Sequence, residues 1–313
     1  TEGDSLVING EPLSRAALHE ACCAPYTKVY PAAVPAKHQT LMPAGAGTAA
    51  EKKAPRVYPG EAVEHPLVYI PVFPGTNCDY DSAKAWRTAG AEVETTIFRN
   101  LTGADVLASI DEMVEHIRRA HILMFAGGFS AGDEPDGSGK FIASVINNRK
   151  VAAAIESLIA RGGLILGICN GFQALVKSGL LPYGKTGSVT AESPTLFRND
   201  INRHVSQMVT TVVATTNSPW LSNMQIGDAH TVAVSHGEGK FVVSEALAAE
   251  LFRNGQVAFR YADPVTLAPT MQSPANPNGS YYAIEGIISP DGQILGKMAH
   301  SERYEDNVFK NIS

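Results

Sequence analysis

Residues 163–173 read GLILGICNGFQ, an apolar run that ends in Gly-x-Cys-x-Gly and continues into a helical pattern. This order predicts a buried strand, a tight turn and a helix. It is typical of a nucleophile elbow with Cys169 in place of serine, because Gly167 and Gly171 lack Cβ atoms that would block the approach of backbone and substrate. A helix N-terminus would also favour the Cys169 thiolate. The alternative is a small buried cysteine at a strand-to-helix corner, but the two glycines favour the elbow.

Composition narrows the class of protein. A chain of 313 residues with 44% hydrophobic content can build one large domain or two. No run approaches the roughly 18 apolar residues that span a bilayer, and no secretion signal starts the chain, so we expect a cytoplasmic protein with no membrane partner. A net charge of -6 with interspersed signs offers no surface for nucleic acid. Four cysteines form neither a disulfide framework nor a zinc pattern, which fits a reducing compartment.

The composition changes near residue 62. Residues 1–62 contain one short helical candidate at 14–20, followed by sequence rich in Pro, Ala and Gly, and we interpret them as linker or tail. Residues 63–313 carry the regular pattern of a folded domain. Because the chain begins at Thr1 and not at Met, we expect it to be a fragment of a longer protein.

From residue 66 strand-like and helical segments alternate, which predicts a parallel sheet covered on both faces. Strands are predicted at 67–73, 93–98, 122–126 and 163–168, and helices at 79–90, 105–119, 140–147 and 151–160. After residue 184, strands are predicted at 205–214, 231–243, 256–261, 281–288 and 294–298. We therefore expect an α/β fold with a mostly parallel open sheet, helices on both faces, a nucleophile elbow and added β hairpins. Three glycine-bearing loops should converge at the strand ends, where such sheets bind ligands.

A cysteine nucleophile needs a base that a third group orients. Two pairs qualify, His236 with Glu238 and His300 with Glu302, because residues two apart in extended chain point to the same side. Spacing alone does not choose between them. Each could instead be a solvated loop pair, and a metal site has weak support because no third ligand clusters with either pair.

Two other features bear on the site. Cys78 also follows a strand, but Asp79 and Asp81 oppose a thiolate there and no glycine elbow surrounds it, so we interpret Cys78 as structural. The loop at Gly127 and Gly128 follows the third predicted strand and could donate N–H groups to an anion. Beside a nucleophile elbow, an oxyanion hole is the more economical interpretation.

Six motifs in this order carry a family resemblance. GICNGFQ at 167–173, GGFSAGD at 127–133 and HSER at 300–303 resemble class I glutamine amidotransferases. PGTNCD at 74–79, HGEG at 236–239 and NPNGS at 276–280 are similar to the glutaminase part of phosphoribosylformylglycinamidine synthases. The resemblance runs from about residue 67 to 303. It implies that residues 63–313 are a glutaminase domain and residues 1–62 the linker or tail of a preceding synthetase region.

The resemblance also implies a reaction. Cys169 would attack the side-chain amide of glutamine, and His300, oriented by Glu302, would transfer the proton. Ammonia would pass to a separate ATP-dependent synthetase domain or subunit of the same enzyme. That synthetase converts formylglycinamide ribonucleotide to formylglycinamidine ribonucleotide in purine biosynthesis. ATP and Mg would bind the synthetase, and this chain would carry neither a cofactor nor a metal.

The same resemblance assigns five residues to the substrate: Gly128, Asn170, Gln173, Ser206 and His236. The N–H groups of Gly128 and Asn170 would bind the oxyanion. Gln173 and the region of Ser206 are weaker candidates for holding glutamine, and His236 would line the pocket or face the synthetase.

The sequence departs from the family at the substrate mouth. Ala131 stands where many relatives carry an aromatic residue, and DEPDGSG at 133–139 is an unusual continuation. The first 62 residues favour a chain fused to its synthetase over a free subunit. Two other classes are a catalytically silent regulatory module and a cysteine hydrolase or chaperone on the same fold. The retained Cys169, His300 and Glu302 argue against the silent module, and the NPNGS and HGEG motifs argue against the hydrolase or chaperone.

Overall fold

A computed structural model describes residues 4–27, 40–43, 58–130 and 139–305. The strands in these ranges are β1 (Ser5–Ile8), β2 (Glu11–Ser14), β3 (Leu67–Val72), β4 (Glu92–Ile97), β5 (Ile122–Phe125), β6 (Leu164–Ile168), β7 (Thr195–Phe197), β8 (Val205–Val213), β9 (Ala229–His236), β10 (Lys240–Val242), β11 (Val257–Ala262), β12 (Ile284–Ile288) and β13 (Ile294–Lys297). The helices are α1 (Arg15–Thr27), α2 (Asp79–Thr88), α3 (Gly103–Arg119), α4 (Lys140–Ile146), α5 (Arg149–Ala160), α6 (Asn170–Ser178), α7 (Leu180–Tyr183) and α8 (Glu245–Arg253). None of the helices in the described ranges has the length and apolar character that crossing a bilayer requires. Ala131 and most of the unusual acidic stretch after it lie outside the described residues.

Nine strands form the central sheet, in the order β4-β3-β5-β6-β13-β12-β11-β8-β9. The strands from β4 to β13 pair in parallel. The strands from β13 to β9 pair antiparallel. The predicted α/β fold is confirmed: the parallel strands carry the elbow, and the predicted hairpins continue the same sheet as its antiparallel half.

Helix α3 shows how the sequence specifies an outer layer. Thr102 and Asp105 form a capping box, in which the Asp105 N–H donates to Thr102 Oγ1 at 3.1 Å and the Thr102 N–H donates to Asp105 Oδ2 at 3.0 Å. Ile110, Met113 and Ile117 lie on one helical face and are buried. These contacts fix α3 against the sheet.

Helix α6 lies directly on the sheet because glycines remove side chains from the contact. A Cβ atom at Gly167 would lie 2.5 Å from Leu175 Cδ1, and one at Gly171 would overlap the carbonyl group of Phe125. Of the nine residues of α6, all but Lys177 are buried. This close packing places the N-terminus of α6 immediately above the end of β6.

Several local details differ from the sequence-based prediction. Cys78, not Asp79, is the N-cap of α2; Asp79 and Asp81 lie in its first turn, where their charges favour the helix dipole. The predicted strand 231–243 is two strands, because β9 ends at His236 and β10 pairs with β7 in a separate small sheet. Helix α8 and the hairpin of β1 and β2 were not predicted, and the helical candidate at 14–20 extends to Thr27.

Part of the N-terminal stretch packs on the sheet. Arg260 Nη2 donates to the Leu41 carbonyl at 2.6 Å, and the Met42 side chain packs against the main hydrophobic core. Tyr58 packs against the same core. Residues 40–43 and 58 are therefore docked on the region that follows residue 62.

Candidate active site

The loops after β3 and β5 are joined above the sheet. Thr76 and Gly128 form an isolated antiparallel bridge, with the Asn77 N–H donating to Gly127 O at 3.2 Å and the Phe129 N–H donating to Gly75 O at 2.8 Å. Gly128 has φ 151°, and a Cβ atom there would lie 2.6 Å from Gly75 O. The bridge uses the Gly127 carbonyl as acceptor and the Phe129 N–H as donor, so the Gly128 N–H lies outside this ladder. The predicted convergence of glycine-bearing loops is present.

Cys169 occupies the elbow between β6 and α6. It is the N-cap residue of α6, with φ 52° and ψ -106°, a backbone conformation that is strained for a residue with a Cβ atom. The side chain is buried, and its Sγ lies 3.7 Å from the carbonyl oxygen of Ser235 at the end of β9. The predicted strand, sharp turn and helix are therefore all observed around this thiol.

His300 and Glu302 form a buried pair just beyond β13. The Nδ1 atom of His300 lies 2.6 Å from Glu302 Oε1, and the His300 N–H donates to the carbonyl of Ala233 on β9 at 2.8 Å. Because the carboxylate accepts the Nδ1 proton, Nε2 is the ring atom left for proton exchange. Nε2 is buried and has no hydrogen-bond partner within the described residues.

Cys169 and His300 meet beside Gly127. A Cβ atom built on Gly127 would lie 2.8 Å from His300 Cε1, 3.0 Å from Cys78 Sγ and 3.5 Å from Cys169 Cβ, so these three side chains surround one point. Burial opposes a charged imidazole, but the electrostatic interaction with Cys169 and the hydrogen bonds with Cys78 and Glu302 outweigh it and raise the pKa of His300 well above its ordinary value. The arrangement therefore favours an imidazolium beside the elbow thiol.

Cys78 also belongs to this cluster, although its sequence context indicated a structural residue. Its Sγ lies 3.9 Å from His300 Nδ1 and accepts a hydrogen bond from Arg303 Nη2 at 3.1 Å. Cys78, His300 and Glu302 have ligand atoms within 4.8 Å of one another, a grouping that a metal ion could use. Those same atoms are paired, however, and the Arg303 guanidinium beside Cys78 Sγ would repel a cation.

Asn170 and Gln173 connect the elbow helix to its surroundings. Asn170 Oδ1 accepts from the Ser130 N–H at 3.2 Å, and Asn170 Nδ2 donates to Gln173 Oε1 at 2.9 Å. Gln173 Nε2 then donates to the carbonyl of Glu238 at 2.6 Å. The oxygen and the nitrogen of the Gln173 side-chain amide both form hydrogen bonds within the protein. Contact between Gln173 and substrate therefore stays a prediction, as does the role of the Asn170 N–H.

His236 and Ser206 lie close to the elbow in different settings. His236 is 2% exposed, and its Nε2 is 3.0 Å from Asn278 Nδ2. Burial, reinforced by the nearby His300 and His204, lowers the pKa of His236 to about 3, so this ring is neutral and too deeply buried to face a partner. Ser206 is exposed on β8 opposite Ser235. Their assignment to substrate binding stays a prediction.

A group of basic side chains near the elbow was missed from the sequence. Arg198, Arg203 and His204 line a cavity with Gly237 and Glu238. The signal was available as two arginines and a histidine within the seven letters RNDINRH, but such a run is usually a solvated surface. Only the fold shows that this run borders the end of β9, where the Ser235 carbonyl lies 3.7 Å from Cys169 Sγ.

Comparison with known proteins agrees with this geometry. Residues 65–313 match the family model described as a CobB/CobQ-like glutamine amidotransferase domain. The phosphoribosylformylglycinamidine synthase subunit PurQ of Gloeobacter violaceus is 33% identical over 241 residues, which cover 76% of this chain and 89% of that protein. PurQ of Methanococcus maripaludis is 36% identical over 229 residues, or 73% of this chain and 80% of that protein.

A solved structure shows the same similarity. A chain in the structure of PurLQS from Thermotoga maritima is 25% identical and superposes with a TM-score of 0.55, over 76% of this chain and 89% of that one. The chain therefore belongs to the CobB/CobQ-like glutamine amidotransferase family, among the PurQ-type subunits of phosphoribosylformylglycinamidine synthase.

Proposed function

We propose that this chain is the glutaminase component of phosphoribosylformylglycinamidine synthase. It hydrolyses glutamine through a Cys169 thioester and supplies ammonia to an ATP-dependent synthetase partner, which converts formylglycinamide ribonucleotide to formylglycinamidine ribonucleotide. The observation that carries the proposal is the strained Cys169 elbow beside the buried pair of His300 and Glu302. The similarity to PurQ subunits over most of the chain supports the choice of enzyme.

The chemistry follows from the positions of these groups. The Cys169 thiolate attacks the amide carbon of glutamine, and the carbonyl oxygen becomes an oxyanion. The N–H groups of Gly128 and Asn170, at the loop after β5 and the start of α6, are the proposed donors to that oxyanion. The His300 imidazolium gives its proton to the departing nitrogen, and ammonia leaves as the thioester forms.

Hydrolysis then regenerates the enzyme. Water attacks the thioester while neutral His300 accepts a proton, and glutamate leaves as the Cys169–carbonyl bond breaks. Glu302 holds the ring so that Nε2 faces the reacting atoms in both steps. In this proposal ATP and Mg²⁺ bind the synthetase partner, and the glutaminase reaction uses only side chains and backbone of this chain.

The test is Cys169→Ala in the presence of the synthetase partner. Glutamine-dependent synthesis should be lost, and synthesis from added ammonium salts should persist, because the variant removes only the source of ammonia. Synthesis from glutamine by the variant would contradict the nucleophile assignment. A wild-type chain that neither hydrolyses glutamine nor supports glutamine-dependent synthesis would favour the silent regulatory module.

A further inference from the structure

An apolar cavity of about 490 Å³ lies where the sheet curves back on itself. Its walls include Leu166 of β6, Leu295 of β13 and residues 229–232 of β9. These strands come together because Ala233 on β9, an edge strand of the sheet, forms a bridge with His300 just after β13. The volume falls in the range of about 300–1,000 Å³ that is typical of small-molecule sites, and apolar walls favour an apolar ligand.

The cavity lies on the face of β6 opposite α6. Successive residues of a strand point to opposite faces of its sheet. A Cβ atom on Gly167 would meet α6, whereas its neighbours Leu166 and Ile168 line the cavity. Cys169 is not among the described residues that line it. The cavity is therefore a different place from the surroundings of the nucleophilic thiol.

One wall of this cavity carries a buried lysine. Lys297 lines the cavity and is only 6% exposed. Its Nζ donates to Ser301 Oγ at 2.8 Å and lies 4.6 Å from the centroid of the Phe259 ring. Ser301 and Phe259 line the cavity too, so the ammonium group lies among lining residues.

The charge of Lys297 is not offset by a contact with an anion. Burying an ammonium group is costly unless an anion pairs with it. Lys240, which is 5% exposed, pairs with Asp200 at 2.7 Å, whereas Lys297 forms no ion pair with any carboxylate in the described ranges. Glu285 interacts with Lys297 electrostatically but does not pair with it. Since an ammonium group has three N–H donors and Ser301 takes one, Lys297 can still donate to an anion.

We propose that this cavity binds a small carboxylic acid with an apolar body, whose carboxylate pairs with Lys297. The apolar body packs against the rings of Phe259 and Trp220, which both line the cavity. Ser301 lies between His300 and Glu302, so the carboxylate binds beside the turn that carries the proposed proton-transfer pair. The inference goes beyond the proposed function and does not depend on it, because binding of the acid requires no hydrolysis of glutamine.

Calorimetry on the full chain tests the site with a matched pair of probes. Phenylbutyrate has an aromatic body and one carboxylate, and phenylbutyramide has the same shape without the charge. The acid should bind about tenfold or more tightly than the amide, because a charge-assisted hydrogen bond to Lys297 is stronger than a neutral one. Equal affinities for the two probes would overturn the proposal.

Substitutions then locate the binding. Lys297→Met keeps an unbranched side chain and removes the charge, a change that buried positions usually tolerate. It should weaken phenylbutyrate about tenfold or more and leave phenylbutyramide unchanged, whereas Lys297→Arg should keep part of the preference for the acid. Thr231→Trp, at an exposed lining position, should fill the cavity and weaken both probes. Lys150→Met is the control, because it removes an exposed lysine that pairs with Asp111 outside the cavity.

Three further outcomes would contradict the proposal. The first is absence of phenylbutyrate binding at millimolar concentration. The second is wild-type affinity for the acid in Lys297→Met or in Thr231→Trp, which would place the acid elsewhere. The third concerns the complex with the synthetase partner: binding that persists there supports the site, whereas its loss would mean that the partner, and not a small acid, covers the cavity.

Discussion

In the proposed mechanism, His300 carries the proton and the Glu302 carboxylate, 2.6 Å from its Nδ1, orients the ring. We expect His300→Ala to lower kcat by about 10²–10⁴-fold, the usual contribution of general acid–base catalysis. Glu302→Gln should cost less, about 10–100-fold, because the ring loses its charged partner but keeps a hydrogen-bond acceptor. Steady-state glutaminase kinetics of both variants measure the difference. A large loss in His236→Gln with no loss in His300→Ala would show that the other His-x-Glu pair supplies the base.

The buried His236 predicts a pH dependence of stability. Burial lowers its pKa to about 3, whereas the ordinary value is 6.5. Between these values the unfolded chain binds a proton that the folded chain does not, so the free energy of unfolding should fall by up to about 1.4 kcal/mol for each pH unit below 6.5. Above pH 6.5 His236 is neutral in the folded and the unfolded chain, so this loss of stability is absent. His300, with its raised pKa, is protonated in both states below pH 6.5 and does not add to this slope.

Urea unfolding measures this effect. The wild-type chain should lose more stability than His236→Gln when the pH is lowered from near 7 to near 5, by roughly 2 kcal/mol at most. The comparison within one pair of proteins cancels the contribution of carboxylates elsewhere. Parallel pH profiles for the two chains would show that His236 does not carry the slope.

At the residue level the sequence could predict the elbow turn at Cys169 but not, by spacing, which His-x-Glu pair packs beside it with Gly127. The glycines around Cys169 limit that turn to a few conformations, whereas both His-x-Glu pairs follow strands and look alike. What separates them is non-local: Asn278, 42 residues further along, holds His236, while the Ala233 carbonyl on a different strand holds the backbone of His300. Resemblance to a family supplied the choice that local pattern could not.

The contact between α6 and the sheet gives a prediction at the scale of an element. Gly171→Ala should destabilise the fold by about 1–3 kcal/mol and reduce glutaminase activity, because its Cβ atom would overlap the Phe125 carbonyl and move the start of α6. Gly103→Ala is the matched control: no atom lies within 4 Å of the added Cβ, and alanine at the start of α3 should be neutral or stabilise by up to about 1 kcal/mol. Denaturant unfolding and glutamine hydrolysis measure both variants. Equal effects would mean that the close approach of α6 is not what requires glycine.

Elements with strong local patterns were predictable, and those defined by pairing were not. Strands β3, β5 and β6 are buried in the parallel half of the sheet. Buried parallel strands are continuous apolar runs, so their sequences alone predicted them as strands. Helix α8 also had a local signal, with Ser244 accepting a hydrogen bond from the Leu247 N–H and Gly255 following its end, but it lay between strand-like segments and was overlooked. Strands β7 and β10 are three residues long and exist because they pair with each other, which a short run cannot reveal.

At the scale of the whole molecule, Met42 links the N-terminal stretch to the sheet. Met42→Ala should lower the free energy of unfolding by about 1 kcal/mol, because the half-buried side chain packs against the core. Leu41→Ala should change it by less than about 0.5 kcal/mol, because the side chain is 39% exposed and Arg260 binds only the carbonyl. Urea unfolding compares the two. Equal losses would mean that docking depends on the backbone and not on the Met42 side chain.

The bridge between Ala233 on β9 and His300 makes the geometry of the candidate site depend on the order of folding. β9 is the far edge of the sheet, yet Ala233 holds the His300 backbone and Ser235 contacts Cys169, 66 residues earlier in the chain. Contacts between such distant residues form late, since loop closure must precede them. A chain in which β6 and α6 have already formed therefore still lacks a complete site around Cys169. The site is complete only when β9 has packed against Cys169 and His300. We expect glutaminase activity to appear in refolding after most of the helical signal, and to vanish first when the β9 edge opens.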